Sequence, residues 1–511
     1  MKKNDRLFDL IRTLTKNEKG YFKKFSQANS QKEDSNQYIQ LFDAIDKQKE
    51  YDEDLLVGKF AKGNKKFNFS AAKNFLYDRI LNSLESYHSQ RVSGEIRSYM
   101  NQVEILMQKL LHQQAEKLLE KAEHLAIKHE MDELMPPILL RRIMLWKVRK
   151  YSGVSPEEME AVMARLRLHL KHIGQLSEVY HYQFLYDSGF TSRGALADKE
   201  NQQAFSQLIQ NMEESGISDS GSFPVQASYL LLLHSMYMFS DQAESAYQAN
   251  LKLLEMFENN PSQIGHRRNQ YHHTLARIVE TQAGLHHFTE ASQNLQKLRE
   301  SSSAHVTNTD AHFWAYYILL LNIMLSREMH DFKTLLRLME ENQDMLYPKI
   351  VDNRNGDIQL KMHAAQIYFY WGRYDTVLDL LNDVLNNPRN GVRTDFYCYA
   401  KVLLLITYWE MGNLSIMPYE LKSTRNFFET RLALIDSDRI ILRFIEKNLQ
   451  KDINSRSLVE PFRQLKQELE NSYTDKFNKR PSEYIDALLW AESKIQRVPM
   501  TETKASTVNL A

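Results

Sequence analysis

The sequence predicts an all-α fold made of stacked helical hairpins, and three observations predict it. Glycine and proline are scarce, 16 and 11 in 511 residues, below the roughly 7% and 5% of average usage. Apolar residues recur at steps of three and four along most of the chain. Helix-end signals punctuate the periodic segments, and no alternating run flanked by turn residues argues for a strand.

The stretch from Val103 shows the period. Leu106, Met107, Leu110, Leu111, Ala115, Leu118, Leu119, Ala122 and Leu125 fall on one stripe, as an amphipathic helix requires. Ser155-Pro156-Glu157-Glu158 reads as a helix start. The serine caps, the proline takes the first helical position, and Glu158 completes a capping box. Thr15-Lys16-Asn17-Glu18 and Ser70 offer further caps, while Pro261, Pro388 and Pro481 separate periodic segments.

First helices of successive hairpins are expected near Glu95, Glu133, Leu176, Val225, Gly265, Asp310, Asp357, Thr394 and Ser437, at irregular intervals of roughly 40 residues. Residues 1–92 differ. Helices near 4–14, 16–28, 36–48 and 70–88, joined by longer polar stretches, predict a separate N-terminal helical module. Hairpins then occupy 93–497, and 498–511 reads as a disordered tail of low apolar content.

Near the C-terminus the hairpins share a local pattern. Tyr368 precedes Gly372 by four residues and Tyr374 follows it by two, with Val377, Leu381 and Pro388 beyond. The next unit repeats this with Tyr408, Gly412, Leu414, Met417 and Leu421, and fainter echoes lie at Phe288, Ala291 and Leu295 and at His112, Ala115 and Leu119. The pattern resembles the tetratricopeptide-repeat family, with Val377 and Met417 standing where that family prefers alanine. Over about 95–475 the resemblance implies a right-handed α-α superhelix, a solenoid of antiparallel hairpins, whose concave face takes a peptide or protein partner. Counting back from each turn, it implies groove-facing positions at His273, Glu280, Tyr317, Met324, Arg327, Gln359, Gln366, Tyr370, Tyr399 and Trp409.

Composition narrows the function classes. Lys plus Arg equals Asp plus Glu at 65 each, so no global field draws the chain to nucleic acid or membrane. Cys398 is the lone cysteine, so no intrachain disulfide can form. The N-terminus lacks the apolar core of a signal peptide. The longest apolar stretch, Phe313–Leu325, carries Asn322 and falls short of the roughly 20 residues that span a bilayer. A cytoplasmic protein without membrane insertion is expected.

Catalytic and metal motifs are not found. His266, His272, His273, His286 and His287 share one hairpin, but adjacent pairs point to different sides of a helix and no carboxylate stands at ligand spacing. His169 and His172 share a helix face with no third ligand in sequence. All seven are expected to be packing or solvated residues, with no bound cofactor. Asn353-Arg354-Asn355-Gly356-Asp357 fails as a calcium loop, because Val351 and Met362 would fall at ligand positions. Cys398 has no visible base partner.

One nucleic-acid signal exists. Lys16, Lys19, Lys23 and Lys24 interleave with Tyr21, Phe22 and Phe25, and Lys59, Lys62, Lys65 and Lys66 surround Phe60, Phe67 and Phe69, before a helix carrying Lys73 and Arg79. Lysines neutralise phosphates and exposed aromatics stack on bases; alternatively the aromatics are core and the lysines a solvated face. The expected function is a non-catalytic interaction scaffold, and the alternative is a nucleic-acid-binding regulator with the repeats as sensor.

Overall fold

The computed structural model describes residues 5–28, 32–48, 51–60, 68–88, 92–193, 199–240, 242–303, 308–346, 354–386, 394–429, 435–474 and 484–503. Among them the protein is all-helical, and the helices pack against their neighbours in sequence. The chain divides into two compact units: Met1–Gln175 with Ser222–Pro224 and Glu300–Ala315, and the remainder.

The first unit opens with α1 (Arg6–Thr13), α2 (Lys16–Ala28), α3 (Lys32–Asp46), α4 (Glu53–Phe60) and α5 (Phe69–His88). These five enclose a core of their own, including Leu7, Ile11, Phe22, Phe42, Ile45, Leu56, Leu76 and Ile80. Thr15 and Glu18 form the expected capping box: each backbone N–H donates to the other's side chain, at 2.8 and 3.1 Å. The cap of α5 is Asn68, whose Oδ1 accepts from Ala71 N, two residues earlier than the expected Ser70. The short α4 begins where Asp52 Oδ1 accepts from Leu55 N; Asp52-Glu53-Asp54 is a helix start.

Then come α6 (Val92–Gln108), α7 (His112–Lys128), α8 (Met135–Val148) and α9 (Pro156–Arg193). A second core forms there around Val103, Leu119, Ile138, Leu139 and Leu145. Ser155 and Glu158 make the reciprocal capping pair read from sequence. The helix start expected near Leu176 does not occur, because α9 runs unbroken for 38 residues. Gly174 costs a helix about 1 kcal/mol relative to alanine, and without a proline or a competing cap that does not end it.

The chain continues through α10 (Lys199–Glu214), α11 (Phe223–Phe239), α12 (Ala243–Asn259), α13 (Pro261–His266), α14 (Arg268–Gly284), α15 (Phe288–Ser303), α16 (Asn308–Glu328) and α17 (Phe332–Glu341). It ends with α18 (Arg354–Tyr370), α19 (Tyr374–Asn386), α20 (Thr394–Glu410), α21 (Met417–Glu429), α22 (Asp436–Asn448), α23 (Val459–Ser472) and α24 (Ala487–Gln496). Helices α16, α18, α20 and α22 begin within three residues of the expected starts. A large core of the second unit draws on all of α18–α24.

One turn geometry recurs between helices. A residue with positive φ follows the first helix, and the next N–H reaches back five residues. It occurs at Leu110, Glu130, His286, His330, Gly372 and Gly412, with Arg373 N to Tyr368 O at 2.9 Å and Asn413 N to Tyr408 O at 3.0 Å. This is a Schellman-type cap, in which the left-handed residue lets orphan carbonyls find donors. The aligned positions Ala115, Ala291, Val377 and Met417 are all fully buried. The tail boundary expected at Val498 also moves: Met500–Glu502 forms a 3-10 turn with Met500 buried, and residues 504–511 lie outside the described residues.

Candidate functional site

Of the ten expected groove positions, the structure brings three together. The Tyr317 hydroxyl donates to Glu280 Oε1 at 2.8 Å, and the His273 and Tyr317 rings meet edge to face at 6.2 Å. Burial, then the neighbouring positive charge of Arg277, pushes His273 down to about 4, so its imidazole is neutral. Burial and then Glu280 push the Tyr317 phenol well up. Met324, Arg327 and Gln359 are partly buried.

The other four are interior. Gln366, Tyr370, Tyr399 and Trp409 are at most 4% exposed, so they offer no surface to a partner. The protein's own C-terminal segment supplies the reason. Tyr484 stacks on Tyr399 at 5.3 Å and lies 4.8 Å from His363. Trp490 meets Trp409 edge to face at 6.2 Å, and the Trp409 Nε1–H donates to Lys451 O at 3.3 Å. Tyr399 and Trp409, expected to meet a ligand, pack against aromatics of the chain itself, while the buried Tyr370 hydroxyl finds no hydrogen-bond partner among the described residues.

Three of the seven expected lysines are paired with acids. Lys19 pairs with Asp46 at 2.6 Å and Lys23 with Asp43 at 2.7 Å. Lys73 reaches Asp5 at 2.6 Å, Glu53 at 2.9 Å and the Tyr51 hydroxyl at 3.0 Å. Lys24 is exposed, while Lys62, Lys65, Lys66 and Phe67 lie outside the described residues. Phe22 and Phe69 are buried, and Phe25 stacks on Tyr21 at 6.2 Å with Arg79 over its ring.

Among the described residues, no three of the histidines at 266, 272, 273, 286 and 287 converge with each other or with acids. His169 and His172 gain a partner that the sequence did not disclose, Asp132. Cys398 is fully buried. A cleft of about 400 Å³ beside α23 and α24 is lined by Glu410, Ser455, Lys494 and Arg497. Its Lys494 is held by Glu410 at 2.6 Å, so that cation is already neutralised.

The surface that stands out is one face of α8. Met135, Ile138, Leu139, Leu145 and Trp146 turn inward. On the opposite side Leu140, Met144, Val148 and Tyr151 are 49%, 51%, 53% and 44% exposed. Leu140, Met144 and Val148, spaced by four, fall on one stripe of the helix, and Tyr151 follows in the left-handed turn beyond its end. The Arg141–Glu104 pair at 3.2 Å ties this helix to the edge of α6, where Ile105 is 51% exposed. No carboxylate occurs between Met135 and Tyr151. Arg142 pairs with Glu123, and Arg149 meets Glu116 at 2.6 Å, leaving Lys147 and Lys150 exposed beside the stripe.

Compared with known proteins, the chain matches no family model and no curated sequence.

Sequence reasoning passed over α8 because the helix is apolar on almost every side, and such a helix is ordinarily read as buried. The usable signal was the second stripe, Leu140-Met144-Val148, lying across the helix from the first.

Proposed function

We propose that the protein is a non-catalytic, cytoplasmic interaction scaffold of tetratricopeptide-like hairpins, and that the exposed face of α8 docks a protein segment. The observation that carries this reading is the apolar stripe Leu140, Met144 and Val148, left in water on a helix whose other side is core. Covering an aliphatic side chain completely is worth about 1.5–3 kcal/mol, and these three are about half exposed, so they supply part of a docking energy from which association costs are subtracted. Lys147 and Lys150 set the partner's chemistry: an amphipathic segment whose apolar anchors are flanked by carboxylates. The recurring left-handed turns and the buried small or aliphatic position after each support the repeat resemblance. The acid partners of Lys19, Lys23 and Lys73 weigh against these three as phosphate contacts and so favour this reading over nucleic-acid binding.

Selection of displayed random peptides on the full chain tests it, with a Leu140→Glu/Met144→Glu variant of unchanged circular dichroism as counter-target. Enrichment of acidic amphipathic peptides that bind only the wild type is the expected result. Peptides that bind both proteins equally, or no enrichment, would overturn the assignment.

A further inference from the structure

Three side chains of the first unit converge where α8 begins. Asp132 opens a 3-10 turn, Asp132–Leu134, just after the left-handed Glu130. His169 and His172 lie one turn apart on α9, three residues being the spacing that puts two side chains on one helix face. His169 Nδ1 is 2.8 Å from Asp132 Oδ1 and His172 Nδ1 is 3.2 Å from Asp132 Oδ2. One ligand atom from each of the three lies within 4.8 Å of the other two. The side chains are 15%, 16% and 9% exposed.

Two details separate this group from an ordinary histidine–aspartate tie. His172 Nδ1 is buried and, despite its 3.2 Å approach to the carboxylate, is not aligned for a hydrogen bond with it or with any other group. A buried polar atom left in that state costs about 1–3 kcal/mol. The second detail is Ser222, whose hydroxyl donates to Asp132 Oδ2. A metal-bound carboxylate is commonly fixed by an outer hydrogen bond of this kind.

We propose that Asp132, His169 and His172 bind a divalent first-row transition metal of zinc type. Two imidazoles and one carboxylate suit zinc, cobalt, nickel or iron and disfavour magnesium and calcium, which take oxygen donors. With metal–ligand bonds of about 2.0–2.2 Å, tetrahedral ligand atoms stand roughly 3.3 Å apart. His172 Nδ1 stands near that separation from Oδ2, whereas His169 Nδ1 approaches the other oxygen, Oδ1, so a side-chain shift is needed for both nitrogens to share a metal with one oxygen. The metal supplies the lone-pair partner that His172 lacks. Three protein ligands leave a fourth position for water. Ser222 acts as a positioning residue that orients the carboxylate.

The test uses the full chain stripped with chelator and titrated with Zn²⁺ by calorimetry, and with Co²⁺ by visible absorption. One equivalent of each, a tetrahedral Co²⁺ spectrum, and a rise in Tm reversed by chelator are expected. His172→Gln and Asp132→Asn should abolish all three. Ser222→Ala should weaken the affinity by about 10–100-fold with the stoichiometry unchanged. A His286→Asn/His287→Asn variant, altered at exposed histidines, should bind as the wild type does. If the ligand variants fail to fold, the wild-type titration and the Ser222→Ala comparison still decide. Absence of a stoichiometric site, an octahedral Co²⁺ spectrum, or binding that survives both ligand substitutions would overturn the proposal.

Discussion

Replacing Trp490 by alanine removes the side chain that closes the C-terminal core. Trp490 is 1% exposed, meets Phe462 edge to face at 5.1 Å, and lies 6.2 Å from both Phe444 and Trp409. Its Nε1–H donates to Glu410 Oε1 at 2.6 Å. Truncating a buried tryptophan costs about 3–5 kcal/mol. Glu410 keeps Lys494 at 2.6 Å, so the carboxylate is not orphaned and the upper end of that range need not be exceeded. Trp490→Phe isolates the hydrogen bond, because most of the ring packing remains. A hydrogen bond to a charged group is worth about 1.5–3 kcal/mol. The assay is urea unfolding followed by near-ultraviolet circular dichroism, with hydrogen exchange of α23 and α24 reporting the local unit. A cost under about 1 kcal/mol for Trp490→Ala, set against that range, would refute the view that this segment completes the core. It would also return Trp409 to the list of residues available to a ligand.

Four further outcomes follow from the same structure. Gly372→Ala should destabilise by about 1–2 kcal/mol: φ there is 66° and no atom obstructs a Cβ, so the cost is conformational alone and appears as a lower urea midpoint. Lys73→Ala leaves Asp5, whose side chain is 13% exposed, without its cation; a loss of about 1–3 kcal/mol, below the fully buried case, is expected in the unfolding of the N-terminal module. Burial pushes Asp438 up to about 7, against a smaller lowering by the Ile435 backbone. The folded state then holds a proton that the unfolded state releases above its ordinary pKa near 4, so stability falls as pH rises from about 4 to 7. Asp438→Asn should remove that fall, worth ~4 kcal/mol as an upper bound, and raise Tm at pH 8 relative to wild type while changing little at pH 4. Burial, then Arg327, pushes His363 down to about 3, the opposite case. Its contribution is complete above pH 6.5 and is lost as pH falls through the window down to about 3, and His363→Gln should flatten that slope in a pH series of thermal melts.

The hairpin plan was legible because it depends on local signals. Capping boxes at Thr15 and Ser155 and glycine at left-handed turns act within a few residues of one another and are found where expected, whereas the stripe read from Val103 to Leu125 is broken at Leu110, between α6 and α7. Non-glycine residues at the same turns, such as Leu110 and His330, weakened the repeat signal, since tertiary packing there overrides backbone preference. The helix start expected near Leu176 from the repeat spacing is absorbed by the continuous α9.

The sites were less legible because they depend on long-range partners. Whether Tyr399 and Trp409 face a groove or the core is decided by Tyr484 and Trp490, over 80 residues away in the chain. Asp132 meets His169 and His172 only once α8 and α9 fold back on one another, and Ser222 arrives from farther still. Lys23, Lys19 and Lys73 resemble part of a phosphate-binding face until Asp43, Asp46 and Asp5 are seen opposite them. Exposure of Leu140 and Met144 is a property of what fails to cover α8, and no local pattern encodes it.

The central claim, that α8 presents a docking face, is tested most directly by the affinity of a selected acidic amphipathic peptide for wild type and for Leu140→Glu/Met144→Glu, measured by fluorescence anisotropy. Central anchors of an interface each cost about 2 kcal/mol or more when lost, so the account predicts a Kd at least about 30-fold weaker for the variant. Affinities within about twofold of one another, below about 0.5 kcal/mol, would place the partner elsewhere and contradict it.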